Sequence, residues 1–79
     1  MKAIVHITLK ESVLDPEGEV ISRSLNGLGF KDVTKVRKGK YIEIDIKNND
    51  KVGAKEDVEK MCEELLANTI IENYSIKIV

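Results

Sequence analysis

The sequence predicts an α+β fold, with one domain over residues 1–79 built in the order strand, helix, strand, strand, helix, strand. Two observations carry this reading. Residues 2–10, 40–46 and 70–79 alternate apolar and polar positions, the period of two required of a strand with one buried face. Two intervening stretches instead repeat their apolar residues at three and four, the stripe of a helix packed along one side.

The first strand, KAIVHITLK over residues 2–10, places Ala3, Val5, Ile7 and Leu9 on one face. Lys2, Ile4, His6, Thr8 and Lys10 fall on the other. The mixed character of that second face suits a central strand. Asp15 then offers a carboxylate to the free amides of a first helical turn, and Pro16 sits where a missing N–H costs nothing. Glu17 and Glu19 complement the positive helix end. Ile21, Leu25 and Leu28, with Val20, form the expected buried stripe, and Gly29 ends the helix. Gly18 is anomalous, because glycine inside a helix costs ~0.5–1 kcal/mol against alanine. It implies a later helix start or the close approach of another backbone.

Val33 to Ile46, VTKVRKGKYIEIDI, reads as two strands folded back at Lys38-Gly39, with Gly39 supplying a positive φ. Lys40, Ile42, Ile44 and Ile46 face one way; Tyr41, Glu43 and Asp45 face the other. Asn48, Asn49 and Asp50 form a polar turn, with Asp50 capping a second helix from about Val52 to Ala67. Ala54, Val58, Met61, Cys62 and Leu65, widened by Leu66, make its inner stripe. Asn68 is suited to a left-handed position after it. In the tail, Tyr74, Ile76 and Ile78 lie opposite Asn73, Ser75 and Lys77.

With right-handed crossovers, this order interleaves into a ferredoxin-like, four-stranded antiparallel sheet with both helices on one face. The other face, including Ile4, His6, Thr8, Tyr41, Glu43, Ser75 and Lys77, has no helix to cover it. An open face of that kind is expected to dock a partner.

Composition limits the function classes. A formal net charge of −1 creates no global field for nucleic acid or membrane. No run approaches the ~18 apolar residues of a membrane span, and the chain opens directly into strand-like alternation, which points to a cytoplasmic protein. A lone cysteine, Cys62, forms no internal disulfide and suits a reducing compartment. A chain this short buries only roughly 60% of its unfolded surface, so self-association or a complex is the expected source of further stability.

The residues supply no catalytic set. His6 and Cys62 lie on different elements, and no His/Cys/carboxylate cluster has metal-ligand spacing, so no cofactor and no metal are expected. Acidic residues at Asp15, Glu17 and Glu19 repel an anion from the first helix start. Gly27 and Gly29 end that helix and do not open a nucleotide loop. The strongest charge feature is basic: Lys31, Lys35, Arg37, Lys38 and Lys40 fall within ten residues, against Asp32 alone. RNA-recognition modules of this architecture stack bases on strand aromatics, whereas here Tyr41 stands alone with Glu43 beside it. A protein partner is the better reading, contacted through Arg37, Lys38, Lys40, Tyr41 and Glu43, with His6 and Tyr74. The alternative is a small-ligand-binding regulatory module, for which Gly27 and Gly29 near the first helix end are the support.

Leu9-Lys10, Val13-Leu14-Asp15-Pro16-Glu17-Gly18, Leu28-Gly29 and Val36-Arg37-Lys38-Gly39-Lys40 together resemble the small subunit of phosphoribosylformylglycinamidine (FGAM) synthase, the PurS family. Met61-Cys62, Leu65-Leu66-Ala67-Asn68 and Ile71-Glu72-Asn73-Tyr74 extend the resemblance over nearly the whole chain. It departs at Glu17 and Thr69, where Gln and Pro are common. The resemblance implies a noncatalytic, dimeric or higher oligomeric subunit of an ATP- and glutamine-dependent ligase of purine biosynthesis. It would bridge a PurQ-type glutaminase and a PurL-type synthetase and help enclose the path of ammonia between them.

Overall fold

The computed structural model describes residues 1–47 and 49–79, so Asn48 of the expected polar turn lies outside the described residues. Strand β1 (Lys2–Leu9) is the centre of a three-stranded antiparallel sheet, flanked by β2 (Gly39–Asp45) and β3 (Glu72–Ile78). The order is β2-β1-β3, and the register sets Val5 opposite Ile42 on one side and Ile76 on the other. The period of two therefore stacks apolar side chains in rows across the sheet. Ala3, Val5 and Ile7 are fully buried at its centre, and Ile42, Ile44, Ile76 and Ile78 pack half-buried around them. Each fully buried Val or Ile contributes about 1.5–3 kcal/mol by leaving water.

Helix α2 (Lys51–Met61) covers this face above β1 and β3. Asp50 caps it, accepting the Val52 amide at 3.1 Å. Ala54, Val58 and Cys62 point into the core as expected. Met61 and Leu65 do not: Leu65 is 83% exposed. The helix continues through Cys62–Leu66 as a π turn, closed by the Ala67 amide on the Cys62 carbonyl at 3.0 Å. The wider turn rotates the register, so that Leu66 and Ala67 face inward where an α-helix would have placed Leu65. Asn68 does not adopt a left-handed conformation. Its side chain instead accepts the Ile70 amide at 3.2 Å, and its carbonyl accepts the Glu72 amide at 2.7 Å.

Helix α1 (Pro16–Gly27) departs furthest from expectation. It has the expected cap, the expected proline and a closing motif in which Gly29 takes φ 106°. There the Gly29 amide bonds the Asn26 carbonyl and the Phe30 amide bonds the Leu25 carbonyl. Yet α1 does not lie on the sheet, and Val20, Ile21 and Leu28 are exposed. The expected hairpin is also absent. Residues 33–38 form no strand, and Gly39 has no positive φ; it begins β2, close against the Ile7 carbonyl. Residues 28–38 instead run back along α1, tied to it where the Asn26 side-chain Nδ2 donates to the Val33 carbonyl at 3.1 Å. The sheet thus has three strands and one covering helix, with α1 and residues 28–38 projecting as an arm. The molecule measures 48 × 24 × 14 Å, and its radius of gyration of 16.0 Å exceeds the about 12 Å of a compact chain this long.

Candidate partner-binding site

Where the arm leaves the sheet, the basic segment meets the β1–α1 connection. Arg37 occupies this junction with both terminal nitrogens of its guanidinium. Nη1 donates to the Val13 carbonyl at 3.0 Å, while Nη2 donates to the Lys10 carbonyl at 2.9 Å and the Leu9 carbonyl at 3.2 Å. The planar fork of an arginine, with several donors on fixed directions, suits the gathering of three carbonyls. Asp15, 5% exposed, holds the other side. One carboxylate oxygen caps α1 through the Gly18 amide at 2.9 Å, and the other accepts the Lys38 amide at 2.8 Å. The Lys38 and Gly18 amides hold the Asp15 carboxyl below the usual carboxylate range. Gly18 is explained as well: a Cβ there would lie 2.2 Å from the Val36 carbonyl oxygen, so the close-approach reading is the correct one.

Three lysines of this run carry carboxylate partners. Lys35 pairs with Glu11 at 2.9 Å, Lys38 with Glu17, and Lys40 with Glu72 at 3.7 Å. The Glu17 carboxylate raises the Lys38 pKa, and the Lys35 ammonium lowers that of Glu11. Much of the sequence cluster is therefore paired, and the surface offers both signs of charge to a partner.

Tyr41, Glu43 and His6 come together on the uncovered sheet face. His6 stands opposite Tyr41 in the ladder, and the rings meet edge to face at 5.2 Å between centroids. Glu43 pairs with Lys2 at 2.8 Å, and its carboxylate raises the Lys2 pKa. Tyr41 is 57% exposed and supplies the largest apolar surface of this group. Lys40 and Tyr74 lie on the opposite side, with the inward residues: Lys40 faces Ile7 in the register, as does Tyr74. Tyr74 packs against the core, and burial, with the nearby Glu63 carboxylate, pushes its phenol upward. The seven residues thus divide between the junction (Arg37, Lys38), the open face (His6, Tyr41, Glu43) and the helix side (Lys40, Tyr74).

Sequence reasoning missed two features of this region. Asp15 reads as a cap, but its bond to Lys38 spans 23 positions and leaves no local signal. The exposed stripe of α1 reads as ordinary core. Gly27 and Gly29 are used in ending α1, with Gly29 at the closing position. Cys62 is buried, and burial raises its thiol pKa. Among the described residues, no group of His, Cys, Asp and Glu could hold a metal ion, and no helix is long and apolar enough to cross a membrane.

Comparison with known proteins gives one consistent answer. Residues 2–79 match the family model "PurS: Phosphoribosylformylglycinamidine (FGAM) synthase". The PurS subunit of Archaeoglobus fulgidus is 49% identical over 76 residues, covering 96% of this chain and 95% of the relative. The crystal structure of Methanocaldococcus jannaschii PurS, a subunit of formylglycinamide ribonucleotide amidotransferase in the purine biosynthetic pathway, superposes with a TM-score of 0.87 at 50% identity. It covers 96% of this chain and 92% of that one. A chain of the PurLQS structure from Thermotoga maritima superposes with a TM-score of 0.77 at 36% identity, covering 96% and 93%. Matched over nearly its whole length in sequence and in structure, this chain belongs to the PurS family of FGAM synthase.

Proposed function

We propose that this chain is the PurS subunit of an FGAM synthase complex in purine biosynthesis, a cytoplasmic bridge with no catalytic residue of its own. It acts as one domain over residues 1–79, as a homodimer or higher oligomer, between a PurL-type synthetase and a PurQ-type glutaminase. The observation that carries this is its likeness to a chain of the Thermotoga maritima PurLQS structure at 36% identity. The junction and the open face suit such work. A bridge needs complementary surface held in one shape; the bonds of Asp15 and Arg37 supply rigidity, and the half-buried Arg37 also stands at the surface a partner would meet. Lys38, Lys40 and Glu43 offer balanced charge; Tyr41, His6 and the half-exposed Tyr74 offer aromatic contact of the kind that anchors interfaces.

The chemistry served is the passage of ammonia, released from glutamine, to an amide activated with ATP. Ammonia that reaches bulk water is protonated and lost as a nucleophile, so a subunit that closes the join protects turnover without taking part in it. The ferredoxin-like order expected from the sequence, with four strands, belongs to the assembled state. What supports this reading is that, among the described residues, the outer edge of β2 has no neighbouring strand.

Reconstitution tests the proposal. With purified synthetase and glutaminase, omission of this chain is expected to abolish glutamine-dependent product while ammonia-dependent product persists. Unchanged glutamine-dependent turnover without it would overturn the bridging role.

A further inference from the structure

The sheet has a second unpaired edge, along β3. We infer that this edge receives an extended segment of a partner enzyme, apolar at its centre and carrying a carboxylate at the end that lies beside Ile78. The inference rests on the bridging role proposed above and goes beyond it in naming the surface and the chemistry of what it takes.

The register fixes which backbone groups are on offer. Lys2 and Val79 bond each other twice, the Val79 amide donating at 2.8 Å and the Lys2 amide at 3.1 Å. Antiparallel alternation repeats this pairing with β1 at Lys77, Ser75 and Asn73. The amides and carbonyls of Tyr74, Ile76 and Ile78 therefore point away from β1, toward a side where no strand lies among the described residues. Strand β3 holds no proline, and its register on β1 runs without a bulge. Such an edge pairs readily with another chain.

The groove beside the edge defines the chain that fits. It has a volume of about 700 Å³ and runs between β3 and the flank of α2, with the exposed Val52 and the half-buried Ile76 and Ile78 as its apolar lining. Lys51, Lys55 and Lys77 border its Ile78 end, whereas Glu56 and Glu59 stand farther along, toward Tyr74. Unlike Lys35, Lys38 and Lys40, these three lysines have no ion-pair partner among the described residues. They also sit at the positive start of α2, whose first turn holds no acidic residue beyond the cap. An incoming carboxylate offsets that charge, and apolar side chains next to it cover Val52, Ile76 and Ile78. A second copy fits less well. Because α2 lies more over β3 than over β1, pairing edge to edge would crowd two α2 helices over strands about 4.8 Å apart, where packed helices need about 8–10 Å.

Hydrogen exchange on the reconstituted complex tests this. Adding the purified synthetase and glutaminase should protect the Tyr74, Ile76 and Ile78 amides, which exchange freely in the chain alone. Ile78→Pro removes one outward donor and keeps the β1 ladder, since Lys77 and Val79 make those bonds. It should weaken assembly more than about tenfold, and Ile78→Ala, which keeps the donor, should weaken it less. Lys55→Glu combined with Lys77→Glu should weaken assembly as strongly as Ile78→Pro while melting as the wild type does. Unchanged exchange at all three amides, in a complex that still needs this chain for glutamine-dependent product, overturns the inference and leaves the bridging role standing. Protection that appears in the chain alone as its concentration rises gives the edge to a second copy and overturns the inference as well.

Discussion

Asp15 uses one carboxylate for two purposes, since it starts α1 and fastens the returning chain to it. Because its pKa is lowered in the folded protein, its contribution is complete above the usual carboxylate range. It is lost as pH falls through the depressed value, when the protonated group ceases to be a charged acceptor for both amides. The junction is therefore expected to loosen in acid before the sheet does. Protection of the Gly18 and Lys38 amides against exchange should fall below the carboxylate range while that of Val5 is kept. Asp15→Asn should remove that pH dependence and show fast exchange at Lys38 throughout. Half of this arrangement is legible in the sequence. A cap followed by proline is local chemistry, whereas the Lys38 amide comes from 23 positions away and follows only from the tertiary path. Arg37 is a similar case: in sequence it is one of a basic run, and in the fold its charge is turned inward onto three carbonyls.

The strands follow their alternation closely, and both helices begin at the caps that Asp15 and Asp50 announce. What periodicity could not show is the π turn. A pattern of three and four assigns Leu65 to the core, but a turn closed from Ala67 to Cys62 takes in one residue more and hands that place to Leu66. The two leucines should respond differently to truncation. Leu66→Ala is expected to lower stability by about 1–3 kcal/mol, and Leu65→Ala by no more than about 0.5, as compared by chemical denaturation. Equal losses would mean that the register is α-helical in solution. For α1 the stripe itself is legible, but not its destination. Apolar spacing says that a face seeks cover, and nothing in it distinguishes cover within a chain from cover by another.

Taken whole, the molecule is a small sheet with α2 upon it and a long projection at one end, which accounts for the 48 Å axis. The α+β class follows directly from the order of periodicities. No fourth strand forms among the described residues: the Val33 carbonyl is bonded to the Asn26 side chain and the Lys38 amide to Asp15, which ties both ends of residues 33–38 to α1 and its cap and not to β2. The chain leaves the sheet at Lys10 and returns at Gly39, and the Lys38 amide binds Asp15 at 2.8 Å, so departure and return abut. Everything between them is a detour whose two ends already touch. Excising residues 16–37 and splicing Asp15 to Lys38 through a short glycine-serine link should yield a miniature that still melts cooperatively, as seen by circular dichroism. The polypeptide would then consist of a self-sufficient body and a detachable appendage.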